Sequence, residues 1–458
     1  SPLAGLTRDQ AMPPLSPTLA MLTERVVFLA VSKIGHFLYY CFLAAIFLGV
    51  ARALMMVVLG VWNARRERKQ EAPPSLAEPI QVSVIIPAYN EENVVAATVR
   101  GILASTYRRM EIIVVDDGSK DGTFAVLQSQ FADHPAITLL SIPNGGKANA
   151  LNVGLSHASG EVVVALDADT QFNPDTISRL VRWFTDPTVG AVAGNAKVGN
   201  RINMITRWQA LEYIVAQNLE RRALAALGTL TVVPGAVGAW RRSAIEQVGG
   251  FRHDTVAEDQ DLTIDLQRVG YRVLFDSSAI AWTEAPTTFR GLAKQRFRWA
   301  YGTLQCLWKY RGLTFRPRYG ALGMISLPQV WLFQILLTAL APLADLLLIW
   351  QLLWQYIAYI EHGSEFNNAD LITVGIYYGV FMGVDLLTAF FGFLLEKKED
   401  WTLLLWLTLQ RFGYRQLMYY VVVRSIFTAM KGPLVGWGKL DRTATVKMPD
   451  RTKVSAEA

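Results

Sequence analysis

Residues 37–62, FLYYCFLAAIFLGVARALMMVVLGVW, are almost uninterruptedly apolar. At about 1.5 Å of rise per residue such a helix exceeds a hydrocarbon core of about 30 Å, which predicts a transmembrane segment over 25–64 behind an N-terminal extension, 1–24. Arg65, Arg66, Arg68 and Lys69 follow at once. Basic flanks stay on the cytoplasmic side, so the N-terminus is expected outside. EAPPSLAEP closes a linker, 65–79, and the pattern then changes. Between 80 and 288 short Val/Ile runs alternate with longer amphipathic stretches, as in an α/β domain with a mostly parallel sheet. The predicted strands VSVIIPA, EIIVVDD, ITLLSI and EVVVALDAD are apolar on both faces, as a sheet covered on both sides by helices requires. Phe289 to Lys309 is basic and aromatic, suited to a membrane interface within a section 289–326. Apolar spans return at 327–354 and 372–396, inside a transmembrane region 327–431. The stretch 401–431 is interrupted by Gln410, Arg411, Arg415 and Gln416 and reads as one helix with a polar waist or as two shorter pieces. A single span leaves the tail 432–458 outside; a re-entrant or interfacial arrangement, the preferred reading, keeps it cytoplasmic.

Length and composition agree with this division. The 458 residues suffice for one α/β domain and several membrane helices, and 52% hydrophobic content is high for a soluble chain with one core. Lys and Arg exceed Asp and Glu by only six and form no long run. The excess is read as juxtamembrane charge facing anionic lipid, with no nucleic acid among the partners. Cys41 and Cys306 are isolated and suggest neither a disulfide framework nor a zinc site. Ser1 to Leu15 lacks the order of a signal peptide, and the chain is expected to be a piece of a longer protein.

Acidic residues fall at the predicted carboxyl ends of the strands, where sheets of this kind bind ligands. Asp116 and Asp117 run into DDGSKDGT. These are ordinary turn formers, yet at a strand end a carboxylate is also placed to accept hydrogen bonds from a base or ribose. Asp167 and Asp169 stand at the tip of EVVVALDAD, and period-two alternation sends both to one side. Two like charges that close call for a cation. Mg²⁺ or Mn²⁺ bridging a nucleotide diphosphate supplies it and neutralises charge on the leaving group. Asn144-Gly145-Gly146-Lys147 lets backbone approach a ligand and offers a lysine to phosphate, though alone it reads as a surface loop. Glu258 and Asp259, in AEDQDLT, either cap a helix or provide, in Asp259, the general base for an acceptor hydroxyl. Gln295, Arg298 and Trp299, in KQRFRWAYG, are either interface anchors or a diphosphate clamp with a ring for the acceptor sugar.

The ordered set DDGS, DAD, AED and QRFRW resembles the family-2 processive β-glycosyltransferases, such as the cellulose, chitin, hyaluronan, chitooligosaccharide and poly-N-acetylglucosamine synthases. The resemblance runs from Val82 to Trp299 and takes in the membrane flanks. It implies a GT-A fold between transmembrane helices, a UDP-sugar donor and inversion. It further implies that Asp117 contacts the nucleoside, Asp169 with Asp167 the metal, Asp259 the acceptor hydroxyl, and Gln295, Arg298 and Trp299 the diphosphate and acceptor terminus. Lys147 and Asp167 join the donor contacts and Glu258 the acceptor contacts. Ala257 stands where Thr is usual, and there is no cyclic-dinucleotide-binding domain. That absence, with PGAVGAWRR and RQLMYYVVV, looks closest to the chitooligosaccharide and poly-N-acetylglucosamine synthases. UDP-GlcNAc is therefore the expected donor and a growing polysaccharide the acceptor; the alternatives are a glucan or hyaluronan-type polymer, or one sugar passed to a lipid carrier. LTRDQAMPPL is similar to the tail behind a polysaccharide-deacetylase domain, so a fused or associated deacetylase is expected outside the membrane. Arg411, Arg415 and Gln416 are candidates for the wall of an export channel, since ionisable groups inside membranes mark pathways.

Overall fold

The computed structural model describes residues 17–69, 79–362, 369–396, 399–432 and 445–446. The expected deacetylase-like segment, most of the linker and nearly all of the C-terminal tail lie outside these residues. The chain divides into two units, 1–52 and 53–458. One helix, Pro17–Lys69, fills the described part of the first unit and continues into the second. Its stretch Leu43–Glu67 is long and apolar enough to cross a membrane. The expected boundary at 64 moves: Arg65 to Lys69 are still helical, so the basic flank belongs to the helix rather than to the linker.

The second unit is built on an eight-stranded sheet of order β3-β2-β1-β4-β7-β6-β8-β5. β1 (Val82–Ala88), β2 (Met110–Asp116), β3 (Ile137–Ser141) and β4 (Val162–Ala165) form its parallel half. β5 is Gln171–Phe172, β6 Val189–Val198, β7 Gly238–Arg241 and β8 Arg272–Thr283. β7 runs antiparallel to both neighbours, while β6 and β8 are parallel to each other. Period two puts Val82, Val84 and Ile86 under one layer of helices and Ile85 under the other, with Val162, Val164 and Val163, Ala165 divided the same way. Each buried Val or Ile contributes about 1.5–3 kcal/mol of transfer free energy. Two such faces explain why these strands read as continuous apolar runs.

β4 is shorter than the sequence suggested. It ends at Ala165, where its pairings with Ile85 of β1 and Gly238 of β7 also end. Asp167 and Asp169 therefore sit in a turn beyond the strand, and alternation does not set their direction.

After the sheet, Thr288 caps the helix Phe289–Lys309 by accepting the Gly291 N–H. Short turns lead to a span at Leu322–Glu361 that begins earlier than expected, and a third at Gly375–Leu395. The 401–431 stretch resolves as two pieces: Trp401–Leu405 with Trp406–Gln410, a break, then Tyr414–Lys431. The last helix packs along Phe289–Lys309. Ion pairs tie the ends of the apolar helices to the rest of the unit: Lys197 of β6 to Glu396 (3.1 Å) and Glu399 (2.9 Å), both buried, and Arg222 of the helix Leu219–Ala226 to Glu396 (3.1 Å) and the partly exposed Glu67 (3.4 Å). Removing one partner of such a buried pair costs about 3–5 kcal/mol, so this junction is fixed rather than loosely docked.

Candidate active site

At the carboxyl edge of the parallel half the loops hold one another. Asp117 lies just past β2, buried, and its two oxygens accept the N–H groups of Gly145 (2.8 Å) and Gly146 (2.9 Å). Asn144 Nδ2 donates to the Asp117 carbonyl at 2.9 Å. Gly118 is essential to this approach. Its φ is +68°, and a Cβ there would lie 2.7 Å from the Asn144 nitrogen. Asp117 is thus held in place by the loop that delivers Lys147, the first residue of the helix Lys147–His157. The β1 loop closes the other side: Ser119 accepts the Asn90 N–H (2.8 Å) and Asn90 accepts the Lys120 N–H (2.7 Å). Tyr89 to Glu92 therefore border the same crevice. Their signal, a polar YNEE directly after a buried strand, was in the sequence but not singled out.

Lys147 does not face solvent. Its Nζ lies 2.7 Å from Asp167 Oδ1 and 3.0 Å from Glu258 Oε1. Burial disfavours its charge, but Asp167, Glu258 and Asp259 outweigh burial and hold the ammonium well above the ordinary lysine range. A lysine expected at a phosphate is thus ion-paired with two candidate site carboxylates. Asp169 is buried, and its Oδ1 accepts from Thr170 at 3.1 Å.

Glu258 and Asp259 open the helix Glu258–Arg268, whose N-cap is Ala257. Neither carboxylate is therefore the N-cap. Asp259 Oδ2 accepts the Gly235 N–H (3.0 Å) and Oδ1 the Gln260 N–H (2.8 Å). Burial first, then the neighbouring Glu258, push its carboxyl up to about 6 against the pull of Lys147 and the two N–H donors. That places it close to the range suited to a general base near neutral pH. Pro87, Lys147, Gly235, Trp240, Glu258 and Asp259 line a pocket here. Ala257, the departure from the usual Thr, packs on Gly302 of the following helix so closely that a Cβ at 302 would come within 2.6 Å.

Gln295, Arg298 and Trp299 share one face of Phe289–Lys309 through i, i+3 and i+4 spacing. Gln295 is buried, Arg298 partly buried, and Trp299 is 37% exposed with its ring 6.4 Å from Tyr213. What holds Gln295 and Trp299 is Arg296, 1% exposed, which the sequence argument passed over. Its guanidinium donates to Gln295 Oε1 (2.6 Å) and Glu212 (2.5 Å) and lies 4.0 Å from the Trp299 ring centre. Tyr414, from the last helix, donates to Glu212. Tyr213 lies in a π-helical segment, Tyr213–Asn218, a form frequent at functional sites. Burial raises the Tyr213 hydroxyl, with weaker influences from Arg296, Glu212, Arg221 and, least, Asp169, and burial lowers Arg221, with Asp259 its weakest influence. Arg411, by contrast, is paired with Asp385 at 2.5 Å among the apolar helices.

Asp167 and Asp169 offer only carboxylate oxygens, the donor chemistry preferred by Mg²⁺ and Mn²⁺. Among the described residues no three His, Cys, Asp or Glu side chains are gathered as a complete metal site. One or two carboxylates completed by substrate phosphates is the usual manner of Mg²⁺ binding, so the residues fit such an ion.

Residues 79–302 match the model of the family described as "Glycosyltransferase like family 2". The chain is 31% identical over 261 residues to the poly-β-1,6-N-acetyl-D-glucosamine synthase of Staphylococcus aureus (strain MSSA476), covering 56% of this chain and 63% of the relative. The Staphylococcus epidermidis synthase (strain ATCC 35984) is 30% identical over 260 residues with the same coverage. This chain thus spans 63% of the length of these curated relatives. A mannosyltransferase from Pyrobaculum calidifontis, solved with GDP-Man and Mn²⁺, superimposes with a TM-score of 0.55 at 25% identity, over 81% of this chain and 98% of its own. A carboxylate-rimmed crevice on a GT-A-like sheet and these similarities agree: residues 79–302 are similar to the glycosyltransferase-like family 2 and are flanked by helices long and apolar enough to cross a membrane.

Proposed function

We propose that this chain is an inverting β-glycosyltransferase that polymerises N-acetylglucosamine from UDP-GlcNAc on the cytoplasmic face and passes the product through its membrane helices. The observation that carries the reading is Asp259: a carboxylate fixed by two backbone N–H groups, raised to about 6 and lining a pocket beside Lys147 and Glu258. In the proposed step Asp259 takes the proton of the acceptor hydroxyl. The acceptor oxygen forms a bond to the anomeric carbon while the bond from that carbon to the diphosphate breaks, and UDP leaves with the electron pair. One displacement inverts the configuration. Asp117 and the Gly145–Gly146 loop shape the nucleoside side, and Arg298 and Gln295 face the diphosphate. Trp299 offers its open face to the acceptor sugar, with Glu258 beside it. A divalent ion held by Asp167 and Asp169 would neutralise charge on the departing diphosphate. The staphylococcal synthases support N-acetylglucosamine; the mannosyltransferase supports a second reading, transfer of a single sugar, because its likeness spans most of both chains.

The test is UDP or GDP release by the purified chain in detergent with Mg²⁺ or Mn²⁺. The donors are UDP-GlcNAc, UDP-Glc, UDP-GlcNAc with UDP-GlcA, and GDP-Man, with Asp259→Asn as control. Polymer from UDP-GlcNAc alone, slowed about 10²- to 10⁴-fold in the control, is the expected result. Single-sugar product from any donor would replace polymerisation with the second reading. Unchanged turnover in the control would remove Asp259 as the base.

A further inference from the structure

We propose that Lys147 is a built-in substitute for the divalent cation: it occupies Asp167 while no donor is bound and yields it only when a diphosphate arrives, so that metal and donor bind together. The inference rests on the reading of Asp167 as a metal ligand. Three observations carry it. The ammonium contacts Asp167 Oδ1 at 2.7 Å and Glu258 Oε1 at 3.0 Å, with the Lys147 side chain only 10% exposed. Space for it is reserved by Gly235, where a Cβ would come within 2.6 Å of Nζ and 3.6 Å of Asp259 Oδ2. Finally, Lys147 follows directly on the Gly145–Gly146 loop bonded to Asp117, so the nucleoside side of the crevice and the cation are one covalent unit.

The physical consequence is competition. An ammonium and a divalent ion repel each other and cannot both sit against the same carboxylate oxygen. A metal binding alone must therefore displace Lys147 into a crevice with no new anion to receive it. The donor changes this: its diphosphate supplies oxygens to the metal and a new partner to the lysine, whose four-carbon stem lets the ammonium move while its backbone stays in place. Metal and nucleotide then raise each other's affinity by the same factor, as linkage requires. Until that moment the ammonium offsets the charge of Asp167 from within, and a free metal ion gains less by entering.

The test measures Mn²⁺ binding to the purified full chain in detergent by the electron paramagnetic resonance of free Mn²⁺, with and without UDP. The wild type is expected to bind Mn²⁺ at least about tenfold more tightly with UDP than without. Lys147→Met should bind Mn²⁺ alone at least about tenfold more tightly than the wild type and UDP more weakly, closing the gap between the two conditions. Lys147→Gln carries the same expectation should the Met variant fail to fold, and Lys147→Arg should keep the wild-type gap. Mn²⁺ affinity in the absence of UDP that stays unchanged or falls in the neutral variants would overturn the proposal. If instead Asp167→Asn leaves Mn²⁺ binding intact with UDP present, the metal assignment itself fails.

Discussion

Replacing Glu258 by Gln removes one negative charge beside Asp259 while keeping the side-chain shape and an oxygen able to accept from Lys147, now 3.0 Å away. Asp259 sits at about 6 against an ordinary 3.8, roughly two units up, with burial the larger cause and Glu258 the next. Lys147 and the Gly235 and Gln260 N–H groups act in the opposite direction and remain in the variant. Loss of Glu258, the second cause after burial, lowers the Asp259 pKa, and each unit of that fall favours the carboxylate by about 1.4 kcal/mol. A general base works ionised, so the rate rises with pH through its pKa, and a lower pKa moves that limb to lower pH. For a fall of about one unit, the ionised fraction at pH 5 grows from about 10% to about 50%, a roughly fivefold gain relative to the plateau of the same enzyme. The assay is kcat/KM for UDP-GlcNAc between pH 4.5 and 8.5 at saturating Mg²⁺, because this parameter reports groups of the free enzyme. The comparison uses the separation of the two profiles. A lower plateau is no objection, since Glu258 is itself assigned to the acceptor side. A limb that stays in place or moves upward would refute the account of Asp259.

Three further outcomes are expected. Gly118→Ala, with its Cβ pressed to 2.7 Å from the Asn144 nitrogen, should raise the donor KM about tenfold or more with a smaller change in kcat, and an unchanged KM would show that the Asp117 loop does not shape donor binding. Arg296→Gln leaves the largely buried Glu212 without its cation, at a cost of up to about 3–5 kcal/mol, and should lower the detergent melting temperature by several degrees. Arg296→Lys keeps the charge but not the fork, and should keep more of the stability while still slowing turnover about tenfold; normal turnover in it would reduce Arg296 to a structural role. Arg411→Ala separates the ion pair with Asp385 and should impair polymer export or length in sealed vesicles, whereas normal length and translocation would remove it from the proposed channel.

Much of this was legible in the chain itself. The first three strands were marked almost to the residue, because burial on two faces forces continuous apolar runs whatever the neighbours are. The helices long and apolar enough to cross a membrane were visible for a similar reason: about 20 apolar residues in a row stand out in any sequence. Order along the chain pointed Asp117 and Asp167 to one edge, since the parallel strands β1, β2 and β4 return their carboxyl ends to the same side, whereas Asp259 and Trp299 stand on helices that this rule does not place.

What the sequence left open depended on partners distant along the chain. β4 stops at Ala165 because Ile85 and Gly238 end their pairing there, and that termination turns Asp167 and Asp169 out of the strand. Lys147 looked like a loop residue until Asp167 and Glu258, 20 and 111 positions further on, closed around it. Arg296 was passed over in the sequence, and only Glu212 and Tyr414, 84 and 118 residues away, make it the buried support of Gln295 and Trp299. Local composition fixes how much charge a segment carries, but the free energy of each charge is set by its distance from opposite charges and from water, and those distances exist only in the folded chain.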